Sequence, residues 1–192
     1  HLEGPAAIVA LRLHVPHRAP VDVVNAFVGD VAVPHGTQRI GLEQEGVAAV
    51  VIGVDGNDEV YGDSGNDFAS GGKGDDKIWG GTGSDTLNGD EGNDTIQAED
   101  GNDLSYGGKG DDFIYGGKGV DTLFGDSGQD CLHGGSGNDL IYGGSGNDFL
   151  YGENSDDALY GDAGSDTIRG GQGNDTMISG TEKDYFVFSN TI

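Results

Sequence analysis

The chain has 192 residues, 39 of them glycine, and 34 Asp and Glu stand against 9 Lys and Arg for a formal charge of −25. That acidity excludes a nucleic-acid-binding role, which needs clustered basic residues, and a single cysteine, Cys131, excludes an intrachain disulfide or a Cys-rich zinc site. No apolar run reaches the length of a membrane-spanning helix, and low hydrophobicity with high like charge leaves a chain disordered unless cations neutralise it.

Residues 1–52 differ in composition from the rest of the chain, with 5 acidic and 3 basic residues. AAIVALRLHV, VDVVNAFV and GVAAVVIG are rich in β-branched residues and predict strands, with Pro16, Pro20 and Pro34 between them. The segment reads as a β-rich cap over the first turn of a repeat array, or as a docking and assembly element. His14, His17 and His35 are too loosely spaced in a Pro-containing stretch to make a convincing transition-metal site. The start at His1 rather than Met reads as a processed or excised chain.

From Gly53 to Val187 the chain divides into fifteen nonapeptides without an insertion or deletion, among them GDSGNDFAS, GGKGDDFIY and GGSGNDLIY. Position six is Asp throughout: Asp58, Asp67, Asp76, Asp85, Asp94, Asp103, Asp112, Asp121, Asp130, Asp139, Asp148, Asp157, Asp166, Asp175 and Asp184. Position eight is apolar from Val60 to Phe186 with one exception, Ser105. This pattern predicts six residues of turn and three of strand per repeat, with position eight inward and positions seven and nine outward. Glycines at positions one, two and four allow positive φ and let backbone carbonyls converge where a Cβ would obstruct them, and Asn, Asp or Ser at position five tolerates left-handed geometry next to them. A lone nonapeptide buries almost nothing, so stability must come from stacking. Residues 188–192 remain as a C-terminal tail.

Position nine is often aromatic, which predicts one outward row of Tyr106, Phe124, Tyr142 and Tyr160 and another containing Tyr61, Trp79, Tyr115 and Tyr151. Leu104, Leu140, Phe113 and Phe149 at position seven widen these rows, and Cys131 falls outward beside them. No nucleophile elbow, phosphate loop or HExxH helix is present, so no catalytic site is read and the chain is taken not to be an enzyme.

The consensus GGxGxDxUx resembles the RTX (repeats-in-toxin) calcium-binding family over about two-thirds of the chain. The resemblance implies an all-β fold, a right-handed parallel β-roll or β-solenoid with two nonapeptides per turn, so that Asp residues 18 apart stack. It also implies Ca²⁺ as cofactor, about 10–13 ions by counting gaps between stacked Asp, each held by oxygen alone. The implied ligands are the fifteen aspartates and backbone carbonyls at positions two and four of one turn and one and three of the next. Position four supplies Gly56, Gly65, Gly74, Gly83, Gly92, Gly101, Gly110, Gly119, Gly128, Gly137, Gly146, Gly164 and Gly173; position two supplies Gly72, Gly81, Gly108, Gly117, Gly135, Gly144 and Gly171.

Asp63, Asp90, Glu99, Asp126, Glu153 and Asp162 replace glycine at position two, Ala98 replaces one at position one, and Ser155 one at position four. Ser155 and the glycine-poor loop from Ser179 to Asp184 predict weaker sites at Asp157 and Asp184. The resemblance implies two uses. One is a secreted bacterial structural protein, such as a matrix, surface-layer or filament subunit, self-assembling through the roll ends, residues 1–52 or the aromatic rows. The other is a calcium-dependent export and folding module of a protease, lipase or toxin that leaves by type I secretion, although the array ends five residues before Ile192 and shows no full secretion signal.

Overall fold

The computed structural model describes residues 25–28, 39–41, 48–53 and 55–188. AAIVALRLHV, the three prolines and His14, His17 and His35 lie outside them. The described chain is all strand and turn. The strands are β1 Asn25–Val28, β2 Arg39–Gly41, β3 Ala49–Ile52, β4 Glu59–Tyr61, β5 Phe68–Lys73, β6 Lys77–Thr82, β7 Thr86–Glu91, β8 Thr95–Asp100 and β9 Leu104–Lys109. They continue with β10 Phe113–Lys118, β11 Thr122–Ser127, β12 Cys131–Ser136, β13 Leu140–Ser145, β14 Phe149–Asn154, β15 Ala158–Ala163, β16 Thr167–Gln172, β17 Thr176–Ile178 and β18 Tyr185–Phe186.

Successive strands alternate between two sheets. Odd-numbered strands form one nine-stranded sheet and even-numbered strands the other, each in chain order. Pairing within the repeats is parallel with a register of 18, as in Ile114 with Leu132 and Leu123 with Ile141. This is a parallel β-roll, and it accounts for the nine-residue period: each repeat crosses from one sheet to the other. The segments VDVVNAFV and GVAAVVIG contain β1 and β3, which pair with each other, while β2 pairs with β4, so strands before Gly53 extend both sheets.

The strands are longer than the pattern predicts. In β5 to β16 they run through positions seven, eight and nine and on through one, two and three of the next repeat, leaving a turn of only three residues. The extension arises because the glycine stretch keeps its ladder: Gly62 N donates to Trp79 O at 2.8 Å and Gly74 N to Glu91 O at 2.7 Å. The inward face therefore carries two residues per repeat, position eight and position one, as the burial of Leu87 and Gly89 in β7 illustrates.

The core is a single layer of side chains between the sheets. One column is Val60, Ile78, Ile96, Ile114, Leu132, Leu150 and Ile168, and the other runs from Val51 through Ala69, Leu87, Ser105, Leu123 and Ile141 to Leu159; all are fully buried. Phe186, expected inward, is 39 % exposed because β18 is the last strand of its sheet. On the outside, Tyr106, Phe124, Tyr142 and Tyr160 stack with centroids 4.8–5.0 Å apart, and Tyr61 stacks on Trp79 at 4.6 Å. Tyr115 and Tyr151 are separated by one rung, occupied by His133.

Ser105 is the flaw in this core. Its Oγ is buried between Leu87 and Leu123 with no hydrogen-bond partner. An unpaired buried hydroxyl costs about 1–3 kcal/mol, so Ser105→Ala is expected to stabilise the calcium-loaded roll by about 1 kcal/mol. Urea unfolding in saturating calcium checks this; a lower midpoint for the variant would contradict it.

Candidate metal centre

The three-residue turns place position six at the seam between the sheets, and the Asp side chain there folds inward. From Asp58 to Asp166 every one of these carboxylates is at most 5 % exposed. From Asp76 to Asp184 each Oδ1 accepts the backbone N–H of the Asp 18 residues earlier, at 2.7–3.1 Å, in two unbroken columns. One column runs from Asp58 through Asp76, Asp94, Asp112, Asp130, Asp148 and Asp166 to Asp184. The other runs from Asp67 through Asp85, Asp103, Asp121, Asp139 and Asp157 to Asp175, and Ala49 N donates to Asp67 Oδ1 at its head. Asp175 and Asp184, at the C-terminal end, are only half-buried.

The second oxygen is the telling one. Oδ2 is buried without a hydrogen-bond partner in Asp67, Asp76, Asp85, Asp94, Asp103, Asp112, Asp121, Asp130, Asp139, Asp148, Asp157 and Asp166. In eleven of the twelve it lies over the position-one glycine of its own repeat, commonly with the position-one carbonyl of the next turn; in the Asp103 repeat Ala98 takes that place. At Gly116, Asp121 Oδ2 and Gly134 O would each be 2.6 Å from a Cβ. Position one is therefore glycine for space, and the positive φ that glycine would allow is not used there.

Positions two and four do need the left-handed region. The position-two glycines from Gly72 to Gly171 have φ of 102–118°, and those at position four, apart from Gly101, have φ of 122–143°. A Cβ at either position would also meet the same-position carbonyl of the preceding turn, as Gly108 meets Asp90 O and Gly110 meets Gly92 O. The acidic replacements at position two keep the conformation, with φ of 66–78°, at a cost of about 1–2 kcal/mol each. Ser155 does likewise with φ 84°, and its carbonyl still faces Gly173, so the Asp157 turn retains the geometry of its neighbours.

Position five departs from expectation: none of its residues has positive φ. Its Asn or Asp Oδ1 accepts the position-five N–H one turn on, as in Asp75 N to Asn57 Oδ1 at 3.1 Å and Asn93 N to Asp75 Oδ1 at 3.0 Å. The same bond recurs at Asn66, Asn93, Asn102, Asp111, Asn138, Asn147 and Asp156. This ladder runs opposite in direction to the position-six ladder, and composition alone does not reveal it.

A family model for the RTX calcium-binding nonapeptide repeat, in four copies, matches residues 52–87, 79–114, 98–132, 130–159 and 151–186. The chain belongs to the RTX repeat family. No curated protein matches it. RTX repeats bind Ca²⁺, and the residues present fit that ion. Among the described residues no three His, Cys, Asp or Glu side chains converge on one point, so a calcium site in the aspartate columns must draw on backbone carbonyls, and an unpaired carboxylate oxygen amid carbonyls is a hard, all-oxygen donor set.

Without a cation these RTX carboxylates resist ionisation. Burial, the largest cause, pushes Asp76, Asp103, Asp112 and Asp139 up to about 7 and Asp130 to about 8, against an ordinary value of 3.8; the N–H bond to Oδ1 opposes this and neighbouring carboxylates reinforce it. Asp85, Asp94, Asp121, Asp148 and Asp157 rise to about 6 for the same first reason. A carboxyl whose pKa is higher in the folded than in the unfolded chain favours folding fully below the unfolded pKa of about 4, and that contribution is lost as pH rises through about 6 to 8. The metal-free chain is therefore expected to hold more β-structure at pH 4 than at pH 8 by far-UV circular dichroism; the opposite order would contradict these burial effects.

Proposed function

We propose that this chain is a secreted bacterial structural protein whose roll, with its carboxylates ionised, forms only when Ca²⁺ occupies the two aspartate columns. The observation that carries the reading is the row of twelve buried, unpartnered Oδ2 atoms. In the proposed ligand set, Asp side chains of adjacent turns share an ion, and carbonyls at positions two and four of one turn and one and three of the next complete an oxygen shell. The bound ions supply the positive charge that lets like carboxylates stack. Seven steps in one column and six in the other set a ceiling of about 13 ions. Their summed charge of about +26 offsets the chain's −25.

Sites of this kind suit extracellular calcium, with affinities of about 10⁻⁴–10⁻³ M. In a calcium-poor cytosol, self-repulsion keeps the chain unfolded and fit for export; outside, binding and folding are one event because only the native stack holds the ions. The outward aromatic rows support self-association of the finished roll into a matrix, surface layer or filament.

Far-UV circular dichroism and sedimentation, each with and without calcium, test this function. A disordered monomer in excess chelator and a β-rich, self-associated species in calcium are expected. A β-rich spectrum in chelator at low salt would overturn the folding mechanism. A monomer in calcium would overturn the structural role and favour an export and folding module instead.

A further inference from the structure

The outward face of the even-numbered sheet carries a cysteine, a histidine and a glutamate in mutual contact, separate from the aspartate columns. Cys131 and His133 flank the buried Leu132 on β12 and so point to the same outward side. On the adjacent strand β14, Glu153 takes position two with φ 78°, and its Oε1 lies 2.8 Å from His133 Nδ1. With Nδ1 directed at that carboxylate, Nε2 is the ring nitrogen left to face Cys131 Sγ, 3.5 Å away. The ring is held in place: it stacks on Tyr151 at 4.5 Å, while Phe113 and Tyr115 tilt against it at 5.4 and 6.0 Å. Both His133 and Glu153 depart from the repeat, one standing between two tyrosines in its column and the other where positive φ favours glycine. The two departures meet.

We infer that Cys131 and His133 together bind one divalent transition-metal ion of the zinc class, with Glu153 as the positioning residue for the imidazole. The spacing fits a single tetrahedral ion: metal–sulfur and metal–nitrogen bonds of about 2.3 and 2.0–2.1 Å at a tetrahedral angle separate the two donors by about 3.5 Å. Bonded in line they would stand about 4.3 Å apart. A carboxylate on the far ring nitrogen is the partner that metal-bound histidines ordinarily keep, because it fixes the tautomer and raises ligand basicity. Thiolate and imidazole are poor ligands for Ca²⁺, so the two metals do not compete. An open groove of about 670 Å³ lies beside His133, bounded by Tyr151, Glu153 and Arg169. Loading converts Cys–SH and M²⁺ to Cys–S–M⁺, and the thiol proton passes to solvent.

The test is a Co²⁺ titration of the calcium-saturated protein, with excess Ca²⁺ keeping the oxygen sites filled. One equivalent of sulfur-to-cobalt charge-transfer absorption is expected, with release of one proton and bleaching by Zn²⁺. Cys131→Ser should abolish the band. His133→Tyr, which continues the tyrosine column, and Glu153→Gln should each weaken Co²⁺ binding at least about 10-fold, His133→Tyr with circular dichroism in calcium unchanged. No charge-transfer band in the wild-type roll would overturn the site. Undiminished affinity in His133→Tyr would also overturn it, leaving an isolated thiol, and undiminished affinity in Glu153→Gln would overturn the positioning role.

Discussion

The structure depends on one constraint: two columns of like-charged carboxylates, buried and stacked one per rung. Each Asp uses Oδ1 to tie its rung to the preceding one and holds Oδ2 inside the seam, away from any donor. An unsatisfied buried polar group costs about 1–3 kcal/mol, and more when charged, whereas a whole domain is stable by only about 5–15 kcal/mol. Twelve such oxygens exceed what the protein can carry, so the fold requires either protonation or a cation. The rise of these carboxyls to about 6–8 is the same conflict expressed in protons.

Glycine placement, sheet length and core width all serve that seam. The position-one glycine leaves room for Oδ2 and a carbonyl, while positions two and four turn the chain so that carbonyls of successive rungs face one another. The apolar column at position eight is one residue thick and cannot carry the fold alone, as the tolerance of Ser105 within it illustrates. Stability is therefore shared along the roll, rung against rung, in the manner of repeat proteins.

Much of this was legible in the sequence because the period is so strict. Fifteen aspartates at a spacing of nine, together with the two repeats per turn that the RTX resemblance implies, imply two columns at a spacing of 18, and position eight implies the core; both are found there. What stayed hidden was which neighbour each group meets one turn away. Asn57 and its counterparts looked like left-handed turn residues but are acceptors for the next rung's N–H. The position-one glycines, read as both conformational and steric, act only through space. The Gly-rich half of each repeat looked like turn because glycine disfavours strand locally, yet its backbone pairs with an identical backbone 18 residues on, and that non-local ladder prevails. His133 and Glu153, 20 residues apart, could be joined only once the register between β12 and β14 was known.

The most direct test counts bound calcium and β-structure in one titration, by flow dialysis and far-UV circular dichroism on the same samples. If the carboxylate columns govern the fold, about a dozen ions bind cooperatively and the two signals rise together. Full β-structure with only two or three ions bound, or a dozen ions bound to a chain that stays disordered, would contradict it.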